Sequence, residues 1–141
     1  MIKEKLLKLN IYFLWGLAVL DLIRGVLHTF FLNWSNATFA QMGANNDALM
    51  MLGAFGISNI LTGSLFILIL MKNKNQAPYV LALISVAYVL GSIGLKVSQI
   101  QGESSFYGRY MMIAYLGLSM ILSFAYFAVS IHEKNKINKD A

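Results

Sequence analysis

Residues 11–32 of the chain read IYFLWGLAVLDLIRGVLHTFFL, an apolar stretch interrupted by Asp21, Arg24 and His28. At a rise of about 1.5 Å per residue, a helix of this length spans about 30 Å, the thickness of the hydrocarbon core of a bilayer. The spacing of three and four residues places the three polar side chains on one face of that helix. Ionisable residues inside a membrane are rare and usually face a bundle interior or a cavity, so this face is the first candidate for a functional site.

The composition of the whole chain is that of a membrane protein. Of its 141 residues, 58% are hydrophobic and 12% are charged, and the mean hydropathy is +0.65. Soluble domains have about twice as many charged residues. Four apolar runs, at about 11–32, 49–71, 78–99 and 108–131, are separated by short polar segments. We therefore predict an all-α polytopic membrane protein, a four-transmembrane-helix bundle that forms a single transmembrane domain over residues 1–141, in the cell membrane of a prokaryote.

The lysines predict the orientation of the chain. Three groups of lysines flank the apolar runs: Lys3, Lys5 and Lys8 before the first, Lys72 and Lys74 after the second, and Lys134, Lys136 and Lys139 after the fourth. By the positive-inside rule, both termini and the segment around Lys72 are cytoplasmic. The net charge of +5 is then a signal of topology. The expected partner is the lipid bilayer, and nucleic acid is not expected.

The connecting segments are short, with one exception. Pro78 suits the first turn of the third helix, because its fixed φ matches a helix start and its missing N–H has no partner there in any case. The segment from Asn33 to Ala48 is longer, and we predict a short interfacial helix around residues 37–42.

The other three runs also have polar positions. Asn59 lies between Gly56 and Gly63 on the second run, for which the alternative interpretation is close helix packing with an interhelical hydrogen bond. Tyr88 and Lys96 lie on one side of the third run. The fourth run has a polar stripe that consists of Tyr115, Ser119, Ser123, Tyr126 and Ser130. Four such stripes are expected to converge on a common interior.

Depth in the membrane predicts where the ionisable groups meet. Counted from the middle of each run, Asp21, Asn59 and Tyr88 lie near the bilayer centre, and Arg24, His28 and Lys96 lie progressively further outward. The alternative for Asp21 and Arg24 is a structural ion pair that locks the first helix against the second or third. A charge at a helix centre costs roughly 2.5 to 3.5 kcal/mol. Small residues hold helices together at a lower cost, so the presence of Asp21 and Arg24 favours a role for this pair beyond helix packing.

The balance of charges predicts the chemistry of a ligand. One acid, Asp21, faces Arg24 and Lys96, and protonation of His28 would add another cation. Such a cavity favours an anionic or electron-rich ligand, such as a lipid phosphate, a carboxylate or a quinone carbonyl. For His28 itself, a hydrogen-bonded structural role, proton exchange and ligand contact all remain open.

No metal site or catalytic set is predicted. Asp21 and His28 are too few ligands for a metal, and bis-histidine haem ligation would need a second intramembrane histidine, whereas His132 lies at the opposite end. The absence of cysteine excludes thiolate chemistry. We interpret five methionines as apolar packing rather than copper ligands: Met50, Met51, Met111, Met112 and Met120. The sequence indicates no particular cofactor.

A family resemblance is carried by glycines in the first half of the chain. The first run contains Gly16-Leu17-Ala18-Val19-Leu20 and Arg24-Gly25-Val26-Leu27-His28, and the second contains Leu52-Gly53-Ala54-Phe55-Gly56 and Thr62-Gly63-Ser64-Leu65. This spacing resembles the opening half of DoxX-like four-helix membrane proteins, many of which have an acidic or amide residue at the position of Asn59. The resemblance implies the four-span plan and an association with membrane redox or quinone-linked systems.

Two functions from different classes follow. We favour a binding protein that holds an amphipathic or anionic small ligand, lipid or quinone-like, in the outer half of the bundle through Asp21, Arg24, His28, Asn59, Tyr88 and Lys96. The alternative is an accessory subunit of a larger redox or transport complex, or a homo-oligomer, in which these groups pair with residues of a partner. A catalytic role ranks third, because no nucleophile-and-base set or redox ligand set is complete.

Overall fold

The computed structural model of the protein describes residues 2–42, 45–98 and 108–140. These residues form five α-helices, a π-helical turn and a 3₁₀ turn: α1 (Ile2–Phe30), α2 (Leu32–Ser35), the π-helical turn (Asn36–Ala40), α3 (Asn46–Asn73), the 3₁₀ turn (Lys74–Gln76), α4 (Ala77–Val97) and α5 (Gly108–Asp140). No β-strand occurs in these described ranges. The prediction of an all-α protein is confirmed.

Three helical stretches of the described chain are long and apolar enough to cross a membrane: Ile2–Phe30, Asn46–Val97 and Tyr110–Lys136. The second stretch contains both α3 and α4. Between 11% and 28% of the most apolar window of each stretch is buried inside the protein. Most of the apolar surface therefore faces outward, as expected for helices that are solvated by lipid, and indicates a membrane protein.

Glycines bring α1 and α3 into close antiparallel contact. A Cβ placed on Gly25 would lie 2.8 Å from the backbone nitrogen of Ile60 and 2.9 Å from the carbonyl oxygen of Gly56. A Cβ placed on Gly63 would lie 2.8 Å from the carbonyl oxygen of Ala18. Because no larger residue could approach the neighbouring backbone this closely, the interpretation that Gly56 and Gly63 serve helix packing is confirmed.

Helix α5 also runs antiparallel to α1. The Asn10 side chain near the start of α1 donates a 3.2 Å hydrogen bond to the carbonyl of Leu122, and Asp21, further along α1, meets Tyr115, which comes earlier in α5. The Lys3 ammonium lies 5.9 Å from the centre of the Tyr126 ring, closer still to the start of α1. The first turns of α1 therefore lie beside the second half of α5.

Helix α4 completes the arrangement by running antiparallel to α5 and therefore parallel to α1. Tyr79 packs edge to face on Phe127 with ring centres 5.1 Å apart, and Tyr88 stacks on Tyr115 at 5.6 Å. Since α3 and α4 run in opposite directions along α1, the chain reverses at the 3₁₀ turn. The start of α1, this turn and the second half of α5 thus share one end of the bundle.

The main core lies toward that end. It contains buried side chains from four helices, namely Leu14, Leu17 and Ala18 of α1, Phe66 and Leu70 of α3, Ala77 and Leu81 of α4, and Tyr115 of α5. In α4 the buried residues all lie in the first half, ending at Ser85, and residues 89–98 are exposed. The opposite end of the bundle is therefore less densely packed.

The connecting segments differ in detail from the predictions. Pro78 lies in the first turn of α4, as predicted. The short helix of the long segment begins earlier than predicted, because α2 and the π-helical turn together cover Leu32–Ala40. The Asn36 side chain fixes the end of this segment, since its amide donates to the carbonyl of Met42 and its oxygen accepts from the N–H of Met42. The predicted end of the third span, Gln99, lies outside the described residues.

Candidate functional site

A buried ionic cluster lies at the contact of α1 and α5. Asp21 is 3% exposed, and the Tyr115 hydroxyl donates a 2.9 Å hydrogen bond to its Oδ2. The guanidinium of Arg24, one turn along α1, lies 3.6 Å from Oδ1. Both carboxylate oxygens therefore have a partner, which is what stabilises a buried charge.

Aromatic rings surround Arg24. The guanidinium lies over the Phe55 ring of α3, with its central carbon 5.2 Å from the ring centre, a cation–π arrangement. It also interacts with the hydroxyl of Tyr88 on α4, whose ring is stacked on Tyr115. The structure thus brings Asp21, Arg24 and Tyr88 together. Through these contacts the ion pair connects α1 with α3 and α4, the second and third apolar helices, and also with α5, which the predicted structural role did not include.

Tyr115 is the member of this cluster that was not among the predicted site residues. The sequence feature that could have identified Tyr115 as a site residue is its place on the polar stripe of the fourth run. Counting residues from the middle of each apolar run predicts different depths for Tyr115 and Asp21. Tyr115 lies before the middle of its run, whereas Asp21 lies at the middle of its own. The side chain closes this gap, since the phenol extends several ångströms beyond the backbone.

His28 ties α1 to the short helix that follows it. The ring is 7% exposed, and its Nδ1 shares a hydrogen bond with the hydroxyl of buried Ser35 in α2. The ring also packs against Phe55, with ring centres 5.8 Å apart. These contacts engage Nδ1 and hold the imidazole between Ser35 and Phe55.

A cavity of about 480 Å³ lies beside Arg24 and His28, at the end of the bundle opposite the 3₁₀ turn. Its walls come from α1, α3, α5 and the segment at the end of the π-helical turn. Arg24 and His28 supply its polar side chains, and the rest of the lining is aliphatic apart from two phenylalanines and four methionines: Phe39, Phe55, Met42, Met51, Met111 and Met112. An apolar cavity with a few fixed polar groups is the usual form of a small-molecule site.

Asn59 is buried but does not line this cavity. It is 7% exposed, it lies between the glycines that pack against α1, and its Nδ2 has no hydrogen-bond partner among the described residues. Its position agrees with a place in the helix interface.

The structure does not bring Lys96 and His28 together. Lys96 lies in the last turn of α4, is exposed, and is not among the residues that line the cavity. The physical reason is that α4 packs on its neighbours through its first half. Equal predicted depth therefore did not translate into proximity.

The charge of the cavity is consequently more balanced than the sequence suggests. With Lys96 elsewhere, Arg24 is the fixed cation in the wall, and Asp21 lies within 3.6 Å of it. No group of three or more histidine, aspartate or glutamate side chains that could hold a metal ion occurs in the part of the chain that the structure describes. The cavity is suited to a largely apolar molecule that has a hydrogen-bond acceptor.

A second, smaller cavity of about 250 Å³ lies between α4 and α5. Its two serines, Ser85 and Ser123, donate to carbonyls of their own helices, at 3.0 Å to Leu81 and 2.8 Å to Ser119. With these hydroxyls engaged, the groove presents an apolar surface and is a weaker candidate for a specific site.

No family model, no curated protein and no solved structure matches this chain. The resemblance to DoxX-like proteins therefore stays a prediction.

Proposed function

We propose that the protein is a small integral membrane protein with four spans that binds an amphipathic small molecule, lipid or quinone-like, in the cavity beside Arg24 and His28. The observation that carries this proposal is the cavity of about 480 Å³ itself, with apolar walls and two fixed polar groups. Sites for small molecules typically have volumes of roughly 300 to 1,000 Å³ and this kind of lining.

Four spans are supported by the length and the break of the second apolar stretch. As one straight helix, the 52 residues of Asn46–Val97 would extend about 78 Å, more than twice the hydrocarbon thickness. The stretch is interrupted by the 3₁₀ turn at Lys74–Gln76, and its two helices pack along α1 in opposite directions. Two crossings by α3 and α4, together with α1 and α5, make four.

The orientation follows from the lysines at one end of the bundle. Lys72 and Lys74 flank the reversal of the chain and are exposed, and Lys5 and Lys8 lie exposed near the start of α1 at that same end. The positive-inside rule makes this end cytoplasmic, with both termini. The cavity then opens in the outer half of the bundle.

The polar groups favour a ligand with a hydrogen-bond acceptor at one end. The Arg24 guanidinium and His28 Nε2 can donate to a carbonyl or phosphate oxygen, while the methionine and phenylalanine walls accommodate an apolar body. Because Asp21 offsets the charge of Arg24, a neutral carbonyl needs no further compensation, whereas a phosphate would leave an excess of negative charge in an apolar site.

Native mass spectrometry of gently extracted protein tests the proposal. We expect a bound mass in the wild type that is largely lost in Met51→Trp, because the indole would fill the cavity. The matched control is Met50→Trp, since Met50 is the exposed neighbour that does not line the cavity. Lys96→Met should also keep the ligand. Equal retention by Met51→Trp and both controls would contradict the proposal.

A second candidate function, an accessory subunit or a homo-oligomer, is favoured by the second half of α4. Residues 89–98 are exposed, and a Cβ at Gly91 or Gly94 would meet no atom within 4 Å among the described residues. Helices in membranes pack closely on such small residues. In the same mass spectra, a second polypeptide or a multiple of the chain mass that is lost on Gly91→Leu would favour this candidate.

A further inference from the structure

Half of the methionines in the chain line the same cavity. Of the eight methionines, Met42, Met51, Met111 and Met112 contribute to its walls. They come from three separate segments: Met42 follows the π-helical turn, Met51 lies early in α3, and the other two lie early in α5. Sequence spacing alone could not predict this convergence, because the segments meet only in the folded protein.

These methionines do not serve core packing. Their exposed fractions are 43%, 61%, 36% and 38% in chain order. The buried hydrophobic residues of the described chain include no methionine. Met51, Met111 and Met112 thus lie outside the buried core, and the structure places them in the wall of the cavity.

His28 adds an imidazole to the same walls. In the tautomer in which Nδ1–H donates to Ser35, the lone pair of Nε2 is available to a metal ion. Metal-binding histidines usually have this arrangement, in which the second nitrogen is bonded to a neighbouring group that orients the ring. The cavity thus combines soft sulfur donors with one oriented nitrogen donor.

We propose that this cavity binds a soft monovalent metal ion, Cu(I), through methionine thioethers and the Nε2 of His28. Thioether sulfur selects Cu(I) over hard cations, and imidazole is also a suitable copper ligand. No carboxylate lines the cavity in the described residues, so magnesium and calcium lack the oxygen ligands that they require. Each donor is neutral, so the bound ion keeps a single positive charge.

The nearby Arg24 is compatible with this charge. Its guanidinium is paired with Asp21 at 3.6 Å and lies over the Phe55 ring. The pair is neutral as a whole, which reduces the repulsion that a lone guanidinium would exert on the ion. A monovalent ion experiences half the repulsion that a divalent ion would.

The metal site does not rest on the proposed organic ligand, and the two can be tested separately. Replacing Met42, Met51, Met111 and Met112 together by leucine keeps the apolar volume, so an organic molecule should still bind. The replacement removes all four sulfur donors. Volume-conserving exchanges between methionine and leucine are usually well tolerated. Thermal unfolding in detergent then verifies that the variant is folded.

The experiment is a Cu(I) titration of the purified full chain in detergent under reducing conditions, in competition with a chromogenic Cu(I) chelator. We expect one Cu(I) per chain in the wild type and a loss of at least about tenfold in affinity in the four-leucine variant, because even neighbours of metal ligands contribute 10- to 100-fold. The control carries Met50→Leu and Met71→Leu, two exposed methionines outside the cavity, and should bind as the wild type does.

X-ray absorption at the copper edge supplies a second readout. Sulfur scattering in the wild type that disappears in the four-leucine variant supports the site. A wild type that binds no Cu(I), equal affinity in the four-leucine variant, or an equal loss in the control would overturn it. Retention of the organic ligand by the four-leucine variant separates this outcome from a failure of the proposed function.

Discussion

The Tyr115 hydroxyl of α5 donates a 2.9 Å hydrogen bond to the Oδ2 of Asp21 on α1, across 94 residues of sequence. The other oxygen of the same carboxylate, Oδ1, forms an ion pair with the Arg24 guanidinium. Tyr115 is also stacked on Tyr88 of α4. Three helices therefore meet at one buried carboxylate, next to the cavity that we propose as the binding site.

Removing the Tyr115 hydroxyl should weaken the bundle. Tyr115→Phe leaves Asp21 Oδ2 without its partner, and a hydrogen bond to a charged group contributes about 1.5 to 3 kcal/mol. We expect the free energy of unfolding in detergent to fall by that amount. The control is Tyr12→Phe, whose ring is exposed and whose loss of a hydroxyl should change stability by less than about 0.5 kcal/mol. Equal effects of the two changes would argue against the contact.

Asp21 and Arg24 should be energetically coupled. Either Asp21→Asn or Arg24→Gln leaves the other charge unpaired in a buried site, which is strongly destabilising. The double variant should recover part of the loss, with a coupling energy of about 0.5 to 3 kcal/mol in a double-mutant cycle of unfolding free energies. Strictly additive effects would show that the two groups do not share a site.

Two glycines should respond oppositely to alanine. Gly25→Ala places a methyl group 2.8 Å from the Ile60 backbone nitrogen, so α1 and α3 must separate, and overpacking of this kind costs about 1 to 3 kcal/mol. Gly91→Ala meets no atom within 4 Å and replaces a poor helix former, so it should be neutral or stabilise by up to about 1 kcal/mol. The thermal midpoints of the two variants in detergent provide the comparison. A Gly25→Ala protein as stable as Gly91→Ala would contradict the close helix contact.

The orientation can be tested with single cysteines, because the chain contains none. Thr38 and Asn73 are both exposed and lie at opposite ends of the bundle. In intact cells, an impermeant thiol reagent should label Thr38→Cys and should label Asn73→Cys only after the cells are opened. The reverse pattern would invert the proposed topology and place the cavity on the cytoplasmic side.

The helices and the polar cluster differ in how far the sequence predicted them. The i, i+3 spacing of Asp21 and Arg24 made their ion pair predictable, since both lie on one helix. Tyr115 and Ser35 could not be assigned as partners, because their contacts depend on how helices and a short turn pack against each other. Lys96 was predicted at the depth of His28 but does not share its cavity, since depth is one coordinate and the packing of α4 through its first half sets the others.

The sequence by itself determined that this protein is built of apolar helices, because the length and hydropathy of its runs leave no other way to satisfy the backbone in lipid. It also determined which face of α1 is polar, because helical periodicity is a local property of the chain. Only the tertiary structure decided that a methionine-lined cavity forms beside Arg24 and His28 and excludes Lys96. That outcome depends on glycine contacts between α1 and α3 and on the partial packing of α4, which are non-local interactions that no single segment encodes.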